Sequence, residues 1–136
     1  MGSPSAAVAF GPLFKTAVTV ALVSAVANAA VWFGFRIFGP LLIGVVDVVV
    51  GSVVGVLAAT IVFAMLGRWT RRPRQIFVGV SVAVLVLYAL GPVGAALAPY
   101  KEGAPLFNAT TVLATELMHL VSGLLVLATF PKLASR

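Results

Sequence analysis

Four apolar segments, each long enough to cross a membrane as a helix, constrain the fold more than any other feature of the sequence. The hydrocarbon core of a bilayer is about 30 Å thick, so a helix rising about 1.5 Å per residue needs roughly 20 apolar residues to span it. Of the 136 residues, 62% are hydrophobic and 9% are charged, whereas soluble domains are roughly 25% charged. The sequence therefore predicts an all-α, membrane-embedded four-helix bundle that forms a single domain over residues 1–136.

Charged residues and proline set the expected limits of the spans. We predict spans over residues 16–35, 47–66, 76–98 and 109–130. The apolar stretch 37–66 is too long for one untilted span, and Pro40 disfavours a helical conformation in the residue before it. We therefore expect the second helix to begin between Val45 and Asp47, with residues 37–44 forming an interfacial or re-entrant segment.

Lys and Arg are distributed unequally between the two sides of the predicted membrane. If the N-terminus is inside, seven of the nine basic residues lie on the inner side, namely Lys15, Arg68, Arg71, Arg72, Arg74, Lys132 and Arg136. The other two, Arg36 and Lys101, lie outside. Because cytoplasmic loops are enriched in Lys and Arg, both termini are expected in the cytoplasm. The same asymmetry explains the net charge of +6 through contact with anionic membrane lipids, and no nucleic acid partner is expected.

Polar residues within the apolar segments mark a candidate pocket. Charged groups at bilayer depth are costly, so they need a partner or a function. Glu116 and His119 are three residues apart on helix four and therefore share a face. Counted from the outer helix ends, Glu116, Asn28 and Tyr88 share a depth of about 10 to 15 Å. The predicted ligand-binding or proton-exchange site comprises Glu116, His119, Asn28 and Tyr88, with Asp47 and Ser52 at its mouth.

The composition excludes several chemistries at this site. The chain has no cysteine, one histidine and three acidic residues. A di-iron bundle site needs two Glu-x-x-His motifs and further carboxylates, and a bis-histidine haem site needs two histidines. We therefore expect no metal, no cofactor and no enzymatic activity. The alternatives left open are small-ligand binding, proton-linked transport, and a purely structural role in which the polar residues tie the helices together in an accessory subunit.

Small residues on two helices predict close helix packing. Gly51 and Gly55, extended by Ala59, form a GxxxG stripe on helix two, and helix one carries alanines at the same four-residue interval, at positions 17, 21, 25 and 29. Such residues let helix backbones approach closely in lipid. The stripe is expected to pack against helix one or to form a homodimer face through Gly51, Gly55 and Ala59, and the pattern can also arise by chance.

Three stretches of the sequence resemble a known group of proteins. They are the basic run 67–77, the pair 27–28 around Asn28, and residues 117–121 around His119. Together they resemble small bacterial four-helix integral membrane proteins that are grouped as a domain of unknown function. The resemblance implies a four-span protein of the bacterial inner membrane with the basic loop inside, and it implies no activity. The helix number is also similar to that of small multidrug resistance transporters, but their embedded Glu lies in the first helix, whereas Glu116 lies in the fourth.

Overall fold

The protein is all-helical over the part of the chain that the computed structural model describes, residues 10–97 and 108–135. Four α-helices, α1 (Phe10–Arg36), α2 (Val45–Trp69), α3 (Pro73–Leu97) and α4 (Ala109–Thr129), are followed by a short 3₁₀ helix (Phe130–Ser135). All four are long and apolar enough to cross a membrane. The predicted four-helix fold is therefore confirmed. Lys101 and Arg136 of the charge count, and residue 98 of the third predicted span, lie outside the described residues.

The second helix begins at Val45, which confirms that Pro40 separates it from the first. Asp47 stabilises this start, because its Oδ2 atom accepts a hydrogen bond of 3.1 Å from the backbone N–H of Gly44. A carboxylate in the first turn also interacts favourably with the positive end of the helix dipole. α1 begins six residues before the predicted span, at Phe10, and Pro12 is tolerated there because first-turn N–H groups have no intrahelical acceptor.

The connection between α1 and α2, residues 37–44, folds back onto the bundle. The indole N–H of Trp32 donates to the carbonyl of Ile43 at 2.8 Å, and the backbone N–H of Leu42 donates to Thr111 Oγ1 at 3.2 Å. Leu41 is buried in an apolar cluster with Val48 of α2 and Ala114 and Met118 of α4. The connection therefore joins α1, α2 and α4 at the end of the bundle that we call the loop end.

Helix α1 lies at the centre of the packing. It makes its largest contacts with α2 and α4, whereas α3 packs mainly on α4 and touches α2 much less. The buried alanines Ala17, Ala21 and Ala25 allow the close approach to α1. α3 approaches α4 at Gly123, where an added Cβ atom would fall 2.6 Å from Leu85 Cδ1. This arrangement leaves α2 and α3 separated along much of their length.

The opposite end of the bundle is sealed by aromatic rings. Phe63, Phe77 and Phe130 are fully buried, and their ring centroids lie 4.9 to 5.9 Å apart. We call these three residues the aromatic plug. The exposed side chains of Arg68, Arg71, Arg72 and Arg74 lie beyond it, and we therefore call this end the basic end.

Two of the three stripe residues, Gly51 and Gly55, do not pack against α1, which corrects the intramolecular interpretation for them, whereas Ala59 packs against the apolar cluster that contains Ala17 and Ala21. A Cβ atom added at Gly51 or Gly55 would meet no atom of the described chain within 4 Å. The buried residues of α2 near α1 are instead Val48, Ser52 and Val56. Successive residues are about 100° apart on a helix, so a stripe shifted by one residue points in a different direction. The homodimer interpretation of the stripe stays a prediction.

Candidate cleft between the second and third helices

A cleft of about 570 Å³ lies between α2 and α3, with α4 as its floor. Its lining is mostly apolar, and Phe77 of the aromatic plug closes it at the basic end. The polar side chains that line it are Asn28, Asp47, Ser52, Ser81, Tyr88, Thr115, His119 and Ser122. Five of the six predicted site residues therefore meet in one cleft.

The cleft is open on the side between α2 and α3. Many residues that line its two walls are also exposed, including Gly51, Val54 and Gly55 on α2 and Val80 and Val84 on α3. This opening lies along two helices that are each long and apolar enough to cross a membrane. The small volumes of the α2 glycines widen it, because no side chain projects from either position.

Asn28 holds three helices together at the polar part of the cleft. It is 3% exposed, and its Nδ2 atom donates to Ser52 Oγ on α2 and to Ser122 Oγ on α4, both at 2.8 Å. Ser52 donates its own hydroxyl hydrogen to the carbonyl of Val48 at 2.7 Å, so it can only accept from Asn28. This fixes the amide orientation, with nitrogen toward Ser52. The Oδ1 atom is buried and has no hydrogen-bond partner in the described chain.

His119 and Tyr88 form the α3–α4 side of the same polar region. Their ring centroids lie 5.1 Å apart with an interplanar angle of 42°. Tyr88 is largely exposed, whereas the Nδ1 atom of His119 is buried and bonds to no described group. His119 lies one helical turn from Ser122, and therefore close to the Asn28 amide.

Glu116 does not line the cleft, which differs from the prediction. Residues three apart on a helix differ by about 60° in direction, and the cleft-lining residues Thr115, Ser122 and Val126 lie on the other side of His119. Glu116 is instead on the side of α4 that carries Gly123, which lines the edge of the cleft where Leu85 of α3 packs. Its Oε1 atom is buried and finds no hydrogen-bond partner among the described residues.

The sequence matches the model of a family of unknown function, DUF6069, over residues 8–136. This chain belongs to the DUF6069 family. The predicted resemblance to membrane proteins grouped under an unknown function is thereby confirmed. No curated protein and no solved structure matches the sequence. With its four apolar helices, this DUF6069 protein is a multi-pass membrane protein.

Asp47 and Ser52 occupy different levels of the cleft in the DUF6069 protein. Asp47 is exposed and lines the loop end of the cleft while it accepts the bond from Gly44. Ser52 is buried deeper, in the contact with Asn28. No group of three or more His, Asp or Glu side chains within the described ranges lies close enough to hold a metal ion. The cleft therefore presents hydrogen-bonding groups and one carboxylate at its mouth.

Two residues stabilise the DUF6069 site in roles that were not predicted from the sequence. Asn108 caps α4, because its Oδ1 atom accepts from Thr111 N at 2.7 Å while its Nδ2 atom donates to the carbonyl of Pro40 at 2.9 Å. Asn is among the preferred N-cap residues, so its place just before an apolar helix was a usable signal. The role of Trp32 in holding residues 37–44 had no such local signal, since its acceptor is a backbone carbonyl.

Proposed function

We propose that this DUF6069 protein binds a small amphipathic molecule of the bilayer in the α2–α3 cleft. The polar group of the ligand lies near Asn28 and His119, and its apolar part lies along α2 and α3. The observation that carries the proposal is that Asn28 Oδ1 and His119 Nδ1 are buried at the polar end of an otherwise apolar cleft and have no hydrogen-bond partner among the described residues. A buried polar atom without a hydrogen bond costs about 1–3 kcal/mol, which a bound ligand would recover. The proposed role is binding, not catalysis.

The dimensions of the cleft support this proposal. Its volume of about 570 Å³ lies within the range of roughly 300–1,000 Å³ that is typical of small-molecule sites. The mostly apolar wall on α2 extends from Ser52 to Val62, and these two residues are ten positions apart, which corresponds to about 15 Å. An extended hydrocarbon chain can lie along this wall and enter sideways from the membrane.

Photo-crosslinking tests the proposal. The protein is placed in nanodiscs with hexadecanol that carries a diazirine in mid-chain, and crosslinked peptides are identified by mass spectrometry. We expect crosslinks on residues lining the cleft, saturable by unlabelled hexadecanol. Gly55→Leu should abolish them by filling the cleft, since open space surrounds that position. Gly79→Leu is the matched control, because Gly79 is exposed on α3, has open space beside it and does not line the cleft.

Proton-linked transport is a second candidate function, favoured by the Oε1 atom of Glu116, which is buried and has no hydrogen-bond partner within residues 10–97 and 108–135. A carboxyl group at bilayer depth is a functional candidate because its insertion is costly. The Glu116→Gln variant keeps the shape of the side chain and removes the carboxyl group that exchanges a proton. If the variant retains thermal stability and hexadecanol crosslinking but loses their pH dependence, Glu116 is a proton-exchange site. If only stability changes, Glu116 has a structural role.

An accessory subunit of a membrane complex, or a homo-oligomer, is the alternative to a ligand-binding function. It is favoured by α3, whose membrane-spanning segment is much less buried than those of the other helices. Disulfide formation by a Gly51→Cys variant in membranes tests the homodimer formed through Gly51, Gly55 and Ala59. Efficient crosslinking would assign the open side of the cleft to a second copy of the chain.

We further propose that the protein lies in the inner membrane and that its basic end faces the cytoplasm. The exposed Arg68, Arg71, Arg72 and Arg74 support it through the positive-inside rule. The chain has no cysteine, so single introduced cysteines report their side without background. Ser135→Cys should resist a membrane-impermeant maleimide in intact cells, whereas Phe38→Cys at the loop end should react. The reverse pattern would invert the orientation.

A further inference from the structure

We infer that the ligand of the cleft is a hydroxyl-headed lipid, and that the cleft selects it over anionic and quaternary ammonium amphiphiles. This inference rests on the proposed binding function and adds the chemical class of the ligand. It depends on which hydrogen-bonding groups around Asn28 are already used and which are free.

The first free group is an acceptor. The Ser52 hydroxyl donates its hydrogen to the carbonyl of Val48 and can only accept from Asn28. The nitrogen of the Asn28 amide therefore faces Ser52, and the Oδ1 atom faces away from it. That oxygen is buried and accepts no hydrogen bond within the described chain. A ligand that satisfies it must donate a hydrogen bond. Carboxylates and quaternary ammonium groups have no hydrogen to donate.

The second free group is a donor. Ser122 Oγ accepts from Asn28 Nδ2, and its own hydroxyl hydrogen goes to no acceptor in the described ranges. It therefore remains available for an acceptor of the ligand. A hydroxyl group donates and accepts at the same oxygen, so it can bond to Asn28 and to Ser122 together. An ammonium group only donates, so it can bond to Asn28 Oδ1 but cannot accept from Ser122.

The charges around the cleft also favour a neutral headgroup over an anionic one. The titratable residues that line it are Asp47, Tyr88 and His119, and among the described residues neither Lys nor Arg lines it. A carboxylate or phosphate headgroup bound near Asn28 would lose its hydration without a lysine or arginine partner, which is unfavourable in a low-dielectric site. The exposed arginines lie at the basic end, beyond the aromatic plug.

Three probes that share one chain test the inference. Hexadecanol, hexadecanoate and hexadecyltrimethylammonium, each with the same mid-chain diazirine, are titrated against the protein in zwitterionic nanodiscs. Crosslinking to cleft peptides should reach half-saturation at about tenfold lower concentration for the alcohol, which corresponds to a hydrogen bond of about 1.4 kcal/mol. Ser122→Ala should reduce this preference severalfold. Ser81→Ala, in the same cleft but nearer the aromatic plug, should retain it.

The outcomes separate the two proposals. Equal half-saturation by the three probes, or tighter binding of hexadecanoate, overturns the hydroxyl inference and leaves the binding function intact. Absence of saturable crosslinking with all three probes overturns both. Preference for the alcohol that is unchanged in Ser122→Ala also contradicts the inference, because the donor assigned to the site then has no role.

Discussion

The two ends of the bundle are held together by different interactions. At the basic end, the aromatic plug packs three buried rings against one another. Toward the loop end, hydrogen bonds from Asn28, Trp32 and Asn108 join the elements beside a smaller apolar cluster of Leu41, Val48, Ala114 and Met118. Apolar packing in lipid gains its energy from close contact, so it leaves no space. Hydrogen bonds are directional and few, so they can fix the helices while a cleft stays open between them.

The largest loss of stability should come from removing one ring of the aromatic plug. Phe63→Ala removes a fully buried ring, and we expect a loss of about 3 kcal/mol, the low end for Phe→Ala because lipid weakens the transfer contribution. Unfolding by SDS in mixed micelles measures it. Phe14→Ala, at the same end but mostly exposed, should change stability little. Equal losses in both variants would refute the role of the plug.

Gly123→Ala should have the next largest effect, because it acts where α3 meets α4. The added methyl group overlaps the side chain of Leu85, and overpacking of this kind costs about 2 kcal/mol. The double variant with Leu85→Ala should recover part of the loss. Gly51→Ala is the control, since its open surroundings predict a gain of up to about 1 kcal/mol from helix propensity. Destabilisation by Gly51→Ala would show that the glycine stripe is covered.

Asn28→Ala tests the polar contact at the cleft. It removes two interhelical hydrogen bonds, each worth about 0.6 kcal/mol in a membrane protein, so we expect a loss of about 1 kcal/mol. Ser52→Ala removes one of the two and should cost about half as much in the same SDS titration. A loss as large as that of Phe63→Ala would contradict the expectation that aromatic packing contributes more stability than the Asn28 hydrogen bonds.

The smallest effect should come from Trp32→Phe. It removes the hydrogen bond to the carbonyl of Ile43, worth about 0.6 kcal/mol, and keeps an aromatic ring in place. Amide hydrogen exchange should become faster in residues 37–44. Trp69→Phe, at an exposed tryptophan of the basic end, should leave that exchange unchanged. Unchanged exchange in Trp32→Phe would show that other contacts hold the connection.

Hydropathy alone predicted the helices, because only long apolar helices satisfy their backbone in lipid. The start of α2 was also readable, since Pro40 and Asp47 act locally. The direction in which the glycine stripe points could not be predicted from the sequence, because small residues suit a helix contact and an open cleft equally. The separation of Glu116 from the cleft depends on a rotation of about 60° around α4, which spacing in the sequence cannot fix without the positions of α2 and α3.

The double contact of Asn28 also has a consequence for the order of assembly. Its partner Ser52 follows 24 residues later in the chain, whereas Ser122 follows 94 residues later. At a synthesis rate of roughly 10 residues per second, the second partner emerges several seconds after the first. During that interval α1 and α2 can form a hairpin with one of the two Asn28 bonds made. Completion of the bundle must therefore wait for α4, and chains that stop before Ser122 lack the acceptor for one of the two N–H donors of Asn28.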